Sequence, residues 1–317
     1  MVLAAKKIIR LIFVLFAVSA ITFLMVNLLP GDVAYVIGGE DATLEDIQTI
    51  REAFGLDRNI VVRYFDWLGK ILQGDLGESY LTREPVLTAI ASRLPITIEL
   101  IIISQFIALA LALPAGIYSA YRNNTFIDRF ISGCGFTTLS IPSFVMALLL
   151  IFLFALQLRW LPATGYIPLS EGVWQNLQTF LLPSLSIALI EWVPLMRVLR
   201  TDMIITLQED FIMVARAKGM PTWRILFRDA LKPSSLTLIT ILGLQIGHWI
   251  SAAVIIEMIY AMPGIGRLLV NAVFSRDFLM VQGCVLIITA AYVAINVLVD
   301  FLYTILDPRI GREAHNA

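Results

Sequence analysis

Long apolar runs separated by short polar segments dominate this sequence. Six of the runs are long enough to cross the hydrocarbon core of a membrane as helices, which takes roughly 20 residues. They lie near 8–29, 97–118, 131–156, 181–199, 236–259 and 282–305. The alternation typical of barrel strands is absent from them, and lipid offers the backbone no hydrogen-bond partner. The pattern therefore predicts an all-α polytopic membrane protein with six transmembrane helices.

The first run, from Ile8 to Leu29, has one alternative interpretation, a cleaved signal peptide that ends near Ala17 to Ala20. Lys6, Lys7 and Arg10 precede the run or lie at its start, as basic residues do in signal peptides. The run is nevertheless longer than the roughly 7–15 apolar residues of a signal-peptide core. We expect it to be a retained first span.

The distribution of Lys and Arg predicts the orientation, because cytoplasmic loops carry an excess of them. A basic N-terminus inside the cell places 119–130, 200–235 and the tail 306–317 in the cytoplasm, so that both termini are cytoplasmic. The second of these segments is strongly basic. It contains Arg200, Arg216, Lys218, Arg224, Arg228 and Lys232. Segment 31–95 falls outside although it contains six Lys and Arg residues, because it is just over the roughly 60 residues for which the rule is reliable and its acidic residues outnumber the basic ones.

Two stretches of the outer segment have the apolar spacing of amphipathic helices. The first, 44–56, is predicted to be closed by Gly55, and the second, 61–72, to be broken at Gly69 and Gly74. We expect a small helical subdomain on the outer face. An irregular surface linker is the alternative, because glycines and charges are also common in loops.

Composition supports the membrane assignment and limits the chemistry. The chain has 317 residues, of which 59% are hydrophobic and 15% charged, with a formal net charge of -1, whereas soluble domains average about 45–50% apolar residues. Cys134 and Cys284 are too few for a disulfide framework, and His248 and His315 form no cluster with metal-ligand spacing. We expect no metal and no nucleic-acid partner; the lipid bilayer is the predicted surrounding.

The polar segment between the fourth and fifth runs has the punctuation of two short helices. Asp210 is predicted to cap the first helix, and Gly219 to end it in the left-handed conformation that glycine adopts readily. Pro221 is predicted to begin the second, since its missing N–H is not needed in a first turn. The small residues Ala215 and Ala217 allow another surface to approach closely. The segment is therefore predicted to be a docking element with a fixed bend.

The same residues carry a resemblance to a known family. The pattern ED-x4-ARAKG, followed by a basic stretch and by Lys232 and Pro233, resembles the cytoplasmic signature loop of ABC-transporter permease subunits. Further blocks, in order along the chain, resemble the peptide and nickel branch of these permeases. They are NLLPGD (27–32), GDLGESY (74–80), RLPITIEL (93–100), MPGIGRLL (262–269) and LVDFLYTILDPRI (298–310). Val214 is a departure, because the family signature often begins with paired alanines.

The resemblance implies a type I ABC importer permease fold and a matching function. The chain would be a subunit of an ATP-driven, binding-protein-dependent importer in a bacterial or archaeal plasma membrane. It would form half of the translocation path for di- or oligopeptides or a related small solute. The implied partners are a second homologous permease, two ATP-binding subunits or domains and an extracytoplasmic solute-binding protein. ATP and Mg would be used by the partner ATPases, and this chain, which lacks a G-x-x-x-x-G-K-[ST] phosphate loop, would hold no cofactor.

The resemblance also implies an organisation and a coupling site. The chain would comprise a cytoplasmic N-terminus with the first transmembrane helix (1–30), an extracytoplasmic helical segment (31–95), a five-helix permease core (96–305) with the cytoplasmic coupling loop 200–235, and a cytoplasmic tail (306–317). In the family this loop forms a helix that sits in a groove of the ATPase. The implied coupling residues are Glu209, Asp210, Ala215, Arg216, Ala217, Lys218, Gly219 and Arg224.

Polar residues within the fifth run are candidates for the transport path, because intramembrane polar side chains usually face a bundle interior or a water-filled path. Gln245 and His248 lie three residues apart, beside a face on which Gly243, Gly247 and Ser251 recur at a spacing of four. Such small residues allow a second helix to approach closely. We assign Gln245, His248 and Ser251 to the translocation path. A histidine that is simply hydrogen-bonded inside the bundle is the alternative.

Two other functional classes fit the sequence less well. A proton-coupled secondary transporter would rely on Glu99, Glu191 or Asp300, but snorkelling or a buried hydrogen bond explains these acids at least as well. It would also leave the two-helix inner segment unexplained. An intramembrane enzyme is disfavoured because the G-x-S-x-G and H-E-x-x-H patterns are both absent. We expect a transport subunit without catalytic residues.

Overall fold

The computed structural model describes residues 2–28, 33–38, 42–53 and 57–306, and within these ranges it contains helices and no β-strand. The helices are α1 Val2–Leu28, α2 Val33–Gly38, α3 Leu44–Ala53, α4 Ile60–Leu72, α5 Val86–Tyr121, α6 Phe126–Leu139, α7 Ser143–Leu150, α8 Val173–Thr206, α9 Asp210–Ala217, α10 Thr222–Arg224, α11 Leu231–Ile259, α12 Ile265–Phe274 and α13 Phe278–Leu306. Short π-helical segments, Ile151–Gln157 and Ile225–Ala230, continue α7 and α10. The all-helical prediction is confirmed for the described residues.

Three helices are long and apolar enough to cross a membrane, namely α5, α8 and α13 over Phe278–Val299. Two further pairs pass the same criterion together although they are bent, which brings the described candidates to five. α1 is 27 residues long, and its shorter stretch Leu11–Met25 is apolar. The protein is thus a multi-pass helical membrane protein, while the count of six spans and the side on which each terminus lies remain predictions.

The third predicted span, 131–156, is not one straight helix, which corrects the sequence-based expectation. α6 and the α7 segment meet at an angle of 99°. Between them Ile141 is non-helical, and Pro142 holds an extended backbone with ψ 148° as the N-cap of α7. A proline lacks the N–H that a continuing helix needs and disfavours helical geometry in the residue before it. The apolar run masks this break because it continues on both sides.

The outer segment forms helices close to where the pattern predicts them. α4 begins after Asn59, whose side chain accepts a hydrogen bond of 2.9 Å from the Val61 N–H. The predicted break at Gly69 is wrong, since α4 continues through it, whereas Gly74 lies in the turn that follows, with φ of 85°. Gly55, predicted to close the first helix, lies outside the described residues. Packing of the buried Tyr64 against Phe23 offsets the poor helix propensity of Gly69.

The chain divides into two compact units, the first of which comprises 1–95 and 264–293. Asp277 is a polar centre of this unit and is 4% exposed. Its carboxylate accepts hydrogen bonds from the Ser79 hydroxyl, from the Tyr80 N–H at 3.4 Å and from the Met280 N–H at 3.4 Å. The last of these makes Asp277 the N-cap of α13. The turn before α13 is thereby bound to the loop before α5. The predicted division at 30 and 95 stays a prediction.

The second unit comprises 96–263 and 294–317 and is organised around α8. One face of α8 packs with α5, α9 and α11 in a core that includes Leu195, Met196 and Leu199, all fully buried. Its earlier turns pack with α5, α7 and α11 around the buried Phe180. Pro183 and Pro194 lie inside α8 without ending it. α8 is thus the element that positions the residues considered below.

The predicted small-residue face of α11 does admit a second helix, at Gly243. A Cβ atom added there would overlap the Cγ1 atom of Val299 on α13. We therefore expect Gly243→Leu to lower the free energy of unfolding by about 1–3 kcal/mol, the usual effect of overpacking. Gly133→Leu on α6 is the matched control, because a Cβ there meets nothing within 4 Å. Chemical denaturation in detergent micelles measures the difference; equal stability of the two variants would contradict this packing.

Candidate functional site

The inner segment forms the short helix α9 and, after a tight bend, the turn α10, which continues through the π-helical segment into α11. The predicted bend is present, whereas the second element is the start of a long helix and not a separate short one. α9 ends at Ala217, and Gly219 follows in the left-handed conformation with φ of 71°. The Met220 N–H donates to the Ala215 carbonyl at 3.1 Å, and the Gly219 N–H to the Arg216 carbonyl at 2.9 Å. These bonds satisfy carbonyl groups that the helix end leaves without helical partners. The bend is therefore fixed by backbone hydrogen bonds and by the conformational freedom of one glycine.

Both predicted helix starts are shifted by one residue. Glu209, not Asp210, is the N-cap of α9, and its side chain makes no capping hydrogen bond. Asp210 is instead the first helical residue, where a carboxylate interacts favourably with the helix dipole. Pro221 is the N-cap of α10, with an extended ψ of 142°, and the helix begins at Thr222. Two adjacent acidic residues look alike to a capping rule, so the entry angle of the chain decides between them.

The two alanines of the segment point in different directions. Ile212 and Ala215 are 0% and 8% exposed and belong to the core that surrounds α8. Ala217, Lys218 and Gly219 are exposed. Ala215 therefore seats α9 on its own protein, and Ala217 with the bend forms the surface that another molecule can reach.

The predicted basic residues of the segment also differ in their surroundings. Arg216 lines a cavity of about 590 Å³ between α9, α10 and the ends of α5 and α8, together with Arg122 and Gln208. Arg224 is half-buried, and its Nε atom has no hydrogen-bond partner among the described residues. Lys218 projects from the exposed bend. Of these basic residues, Lys218 is the best placed for a contact with another chain.

An ion pair anchors the helix from which the segment emerges. Arg200 on α8 donates from Nε to Asp128 Oδ1 and from a terminal nitrogen to Asp128 Oδ2, both at 2.7 Å. Ser119 donates to the same carboxylate, and the Asn123 side-chain oxygen accepts from Arg200 at 3.0 Å. α5, α6 and α8 are thereby joined by a residue that lies six positions before the end of α8. In the sequence, Arg200 served only as evidence for membrane orientation, because its partner Asp128 lies 72 residues away.

The three residues predicted for the transport path do not share one environment. Gln245 is 8% exposed and points into the unit, where its Oε1 has no hydrogen-bond partner among the described residues. His248 and Ser251 are exposed and line a cleft of about 290 Å³. Glu191 on α8 lines the same cleft, whereas the sequence analysis considered this residue only for a proton-coupled transporter. The grouping therefore becomes Glu191, His248 and Ser251, and Gln245 does not line this cleft.

Other acids of the spans have separate positions. Glu99 is half-buried on α5, and the side chain of Asp300 lies outside the described residues. Glu257 on α11, which sequence reasoning missed, is fully buried and accepts a hydrogen bond of 2.5 Å from the Thr97 hydroxyl. A buried carboxylate is costly unless hydrogen-bonded. The hydrogen bond between Thr97 and Glu257 joins α5 to α11 and so stabilises their packing.

Comparison with known proteins assigns the chain to a family. Residues 112–312 match the family described as the inner membrane component of binding-protein-dependent transport systems, and residues 1–101 match its N-terminal region. A protein of Brucella abortus (strain 2308), named as a peptide transport system permease, is 38% identical over 308 residues, covering 97% of this chain and 98% of the relative. The glutathione transport system permease protein GsiC of Escherichia coli (strain K12) is 33% identical over 305 residues, covering 96% and 97%.

These matches cover both the predicted apolar spans and the predicted inner segment with its bend at Gly219. They also agree with the absence of a phosphate-binding loop from the sequence, since in this family ATP is hydrolysed by separate subunits. The chain belongs to the family of binding-protein-dependent transport system inner membrane components and is the permease subunit of such an ABC importer.

Proposed function

We propose that this permease forms half of a translocation path for peptides and that the surface formed by Ala217, Lys218 and Gly219 transmits movement from an ATPase subunit. The observation that carries the proposal is the seating of α9. Ile212 and Ala215 are packed in the core around α8, while the bend stays exposed. A force on the bend is therefore passed through α9 to α8, which also lines the cleft that contains Glu191 and His248.

The proposed assembly is that of a whole importer. A second, homologous permease supplies the other half of the path, two ATP-binding subunits use ATP and Mg, and a solute-binding protein delivers the cargo outside. Six spans with both termini in the cytoplasm place the bend on the side of the ATPases. The basic residues of the inner segments support this orientation.

Peptides are the proposed cargo because of the chemistry shared by the relatives. One relative is named for peptide transport and another for transport of glutathione, which is itself a tripeptide. Both are similar to this chain over nearly its full length. Di- or oligopeptides, or a small solute related to them, fit both names.

Crosslinking from two neighbouring positions tests the proposed contact. In a complex reconstituted with Cys134 and Cys284 replaced by serine, we expect a photoactivatable thiol reagent on Ala217→Cys to crosslink to the ATPase. The same reagent on Ala215→Cys is expected to react poorly, because Ala215 is 8% exposed. The vesicles should take up trialanine only when ATP is supplied. Crosslinks of equal yield from both positions, or none from Ala217→Cys, would contradict the proposed surface.

A further inference from the structure

A cleft in the second unit collects polar side chains from three elements at the depth of the spans. Its wall is formed by the break between α6 and α7, by α8 around Glu191 and by α11 from His248 to Ile255. Its volume is about 290 Å³. The remaining lining is largely aliphatic, including Ile187 and Ile190. The cleft thus combines an apolar wall with a few polar groups, as small-molecule sites do.

Glu191 is the carboxylate of this lining, and His248 is close enough to act on it electrostatically. Glu191 has no cationic partner within 4 Å among the described residues, and His248 is the other titratable residue of the lining. A carboxylate at membrane depth is costly, and such residues mark ion and substrate paths. By contrast, the buried Asp128 is paired with Arg200. Among the described residues, the Glu191 carboxylate thus has no cation at ion-pair distance, and a bound cation can take that place.

Acceptors for a small cation are also present. The Ser251 hydroxyl donates its proton to the Gly247 carbonyl at 3.1 Å, which leaves its lone pairs to accept hydrogen bonds. The His248 imidazole has a ring nitrogen that accepts a hydrogen bond whenever the ring is uncharged. A primary ammonium group has three N–H donors and no acceptor. Carboxylate, hydroxyl and imidazole around one cleft match that set of donors.

We propose that this cleft binds the primary ammonium group of the cargo during passage, with Glu191 as its counter-charge and the aliphatic wall against the adjoining carbon atoms. The inference rests on the proposed function, since peptides with a free amino terminus carry such a group. Removal from bulk water strengthens the attraction between the two charges. The same cleft selects against neutral solutes, because they would leave the carboxylate without a partner.

Carbodiimide labelling of the assembled importer tests the site without requiring transport. Dicyclohexylcarbodiimide forms a stable adduct with carboxyl groups in apolar surroundings, and mass spectrometry measures the modified fraction at Glu191. We expect propylammonium to reduce that fraction about fivefold when present at about four times its Kd. N-propylacetamide, similar in shape and neutral, should protect little. Glu99, half-buried on α5 and outside this lining, is the internal control and should be indifferent to both probes.

Each other outcome overturns the proposal. Equal protection by both probes would show an apolar cavity that ignores charge. Absence of an adduct at Glu191, with Glu99 modified, would show that another subunit covers or pairs with the carboxylate. Neither result depends on ATP or on uptake, whereas the proposed coupling surface is tested by the crosslink from Ala217→Cys. A failure of the proposed ammonium site is therefore distinguishable from a failure of the proposed coupling surface.

Discussion

Gly219→Val is expected to reduce peptide uptake by a factor of about 5–30 while the permease still inserts and assembles its spans. Gly219 has φ of 71°, and a β-branched residue in that conformation costs on the order of 1–2 kcal/mol. That amount shifts a conformational equilibrium by a factor of about 5–30. A Cβ at this position meets nothing of this chain within 4 Å, so the variant should not disturb the core. Uptake and solute-stimulated ATP hydrolysis in reconstituted complexes measure the effect.

Gly219→Asn separates the two physical reasons for a glycine at the bend. Asparagine tolerates the left-handed conformation but still adds a side chain. If backbone geometry is what matters, Gly219→Asn retains most uptake. If close contact with the ATPase matters, both variants lose uptake together with crosslinking from Ala217→Cys. Normal uptake by Gly219→Val with normal assembly would show that the bend is not the coupling element.

Asp128→Ala is expected to lower the free energy of unfolding by about 3 kcal/mol. The variant leaves the Arg200 guanidinium and the Ser119 hydroxyl without the carboxylate that they contact. Removing one partner of a buried ion pair costs roughly 3–5 kcal/mol, and the lower end applies because the Arg200 side chain is 25% exposed. Denaturation of the purified permease in detergent measures the change.

Two controls isolate the contribution of burial to that effect. Asp66→Ala removes a partner of Arg58 at 3.6 Å, but both side chains are more than half exposed, so we expect a loss of less than about 1 kcal/mol. The double variant Asp128→Leu with Arg200→Met replaces the pair by apolar side chains and should recover most of the stability. A single variant Asp128→Ala as stable as Asp66→Ala would mean that the ion pair does not hold α5, α6 and α8 together.

Local features of the inner segment were predictable because they depend on residues close in sequence. The left-handed bend at Gly219 follows from one glycine after a short amphipathic stretch. The exact cap was not predictable, since Glu209 and Asp210 are adjacent and chemically alike. The break at Pro142 was also missed as a boundary, because the apolar run continues across it and proline can equally remain inside a helix, as Pro194 does.

The sequence by itself determined that the chain is a helical membrane protein with a bent, basic inner segment, because span length, hydrophobicity and glycine or proline chemistry act over a few residues. Only the tertiary structure decided which face of α9 is buried, so that Ala215 is covered and Ala217 exposed. It also paired Asp128 with Arg200 and brought Glu191 and His248 to one cleft. These relations join residues 57 or more positions apart, and helix packing, which no local pattern encodes, sets them.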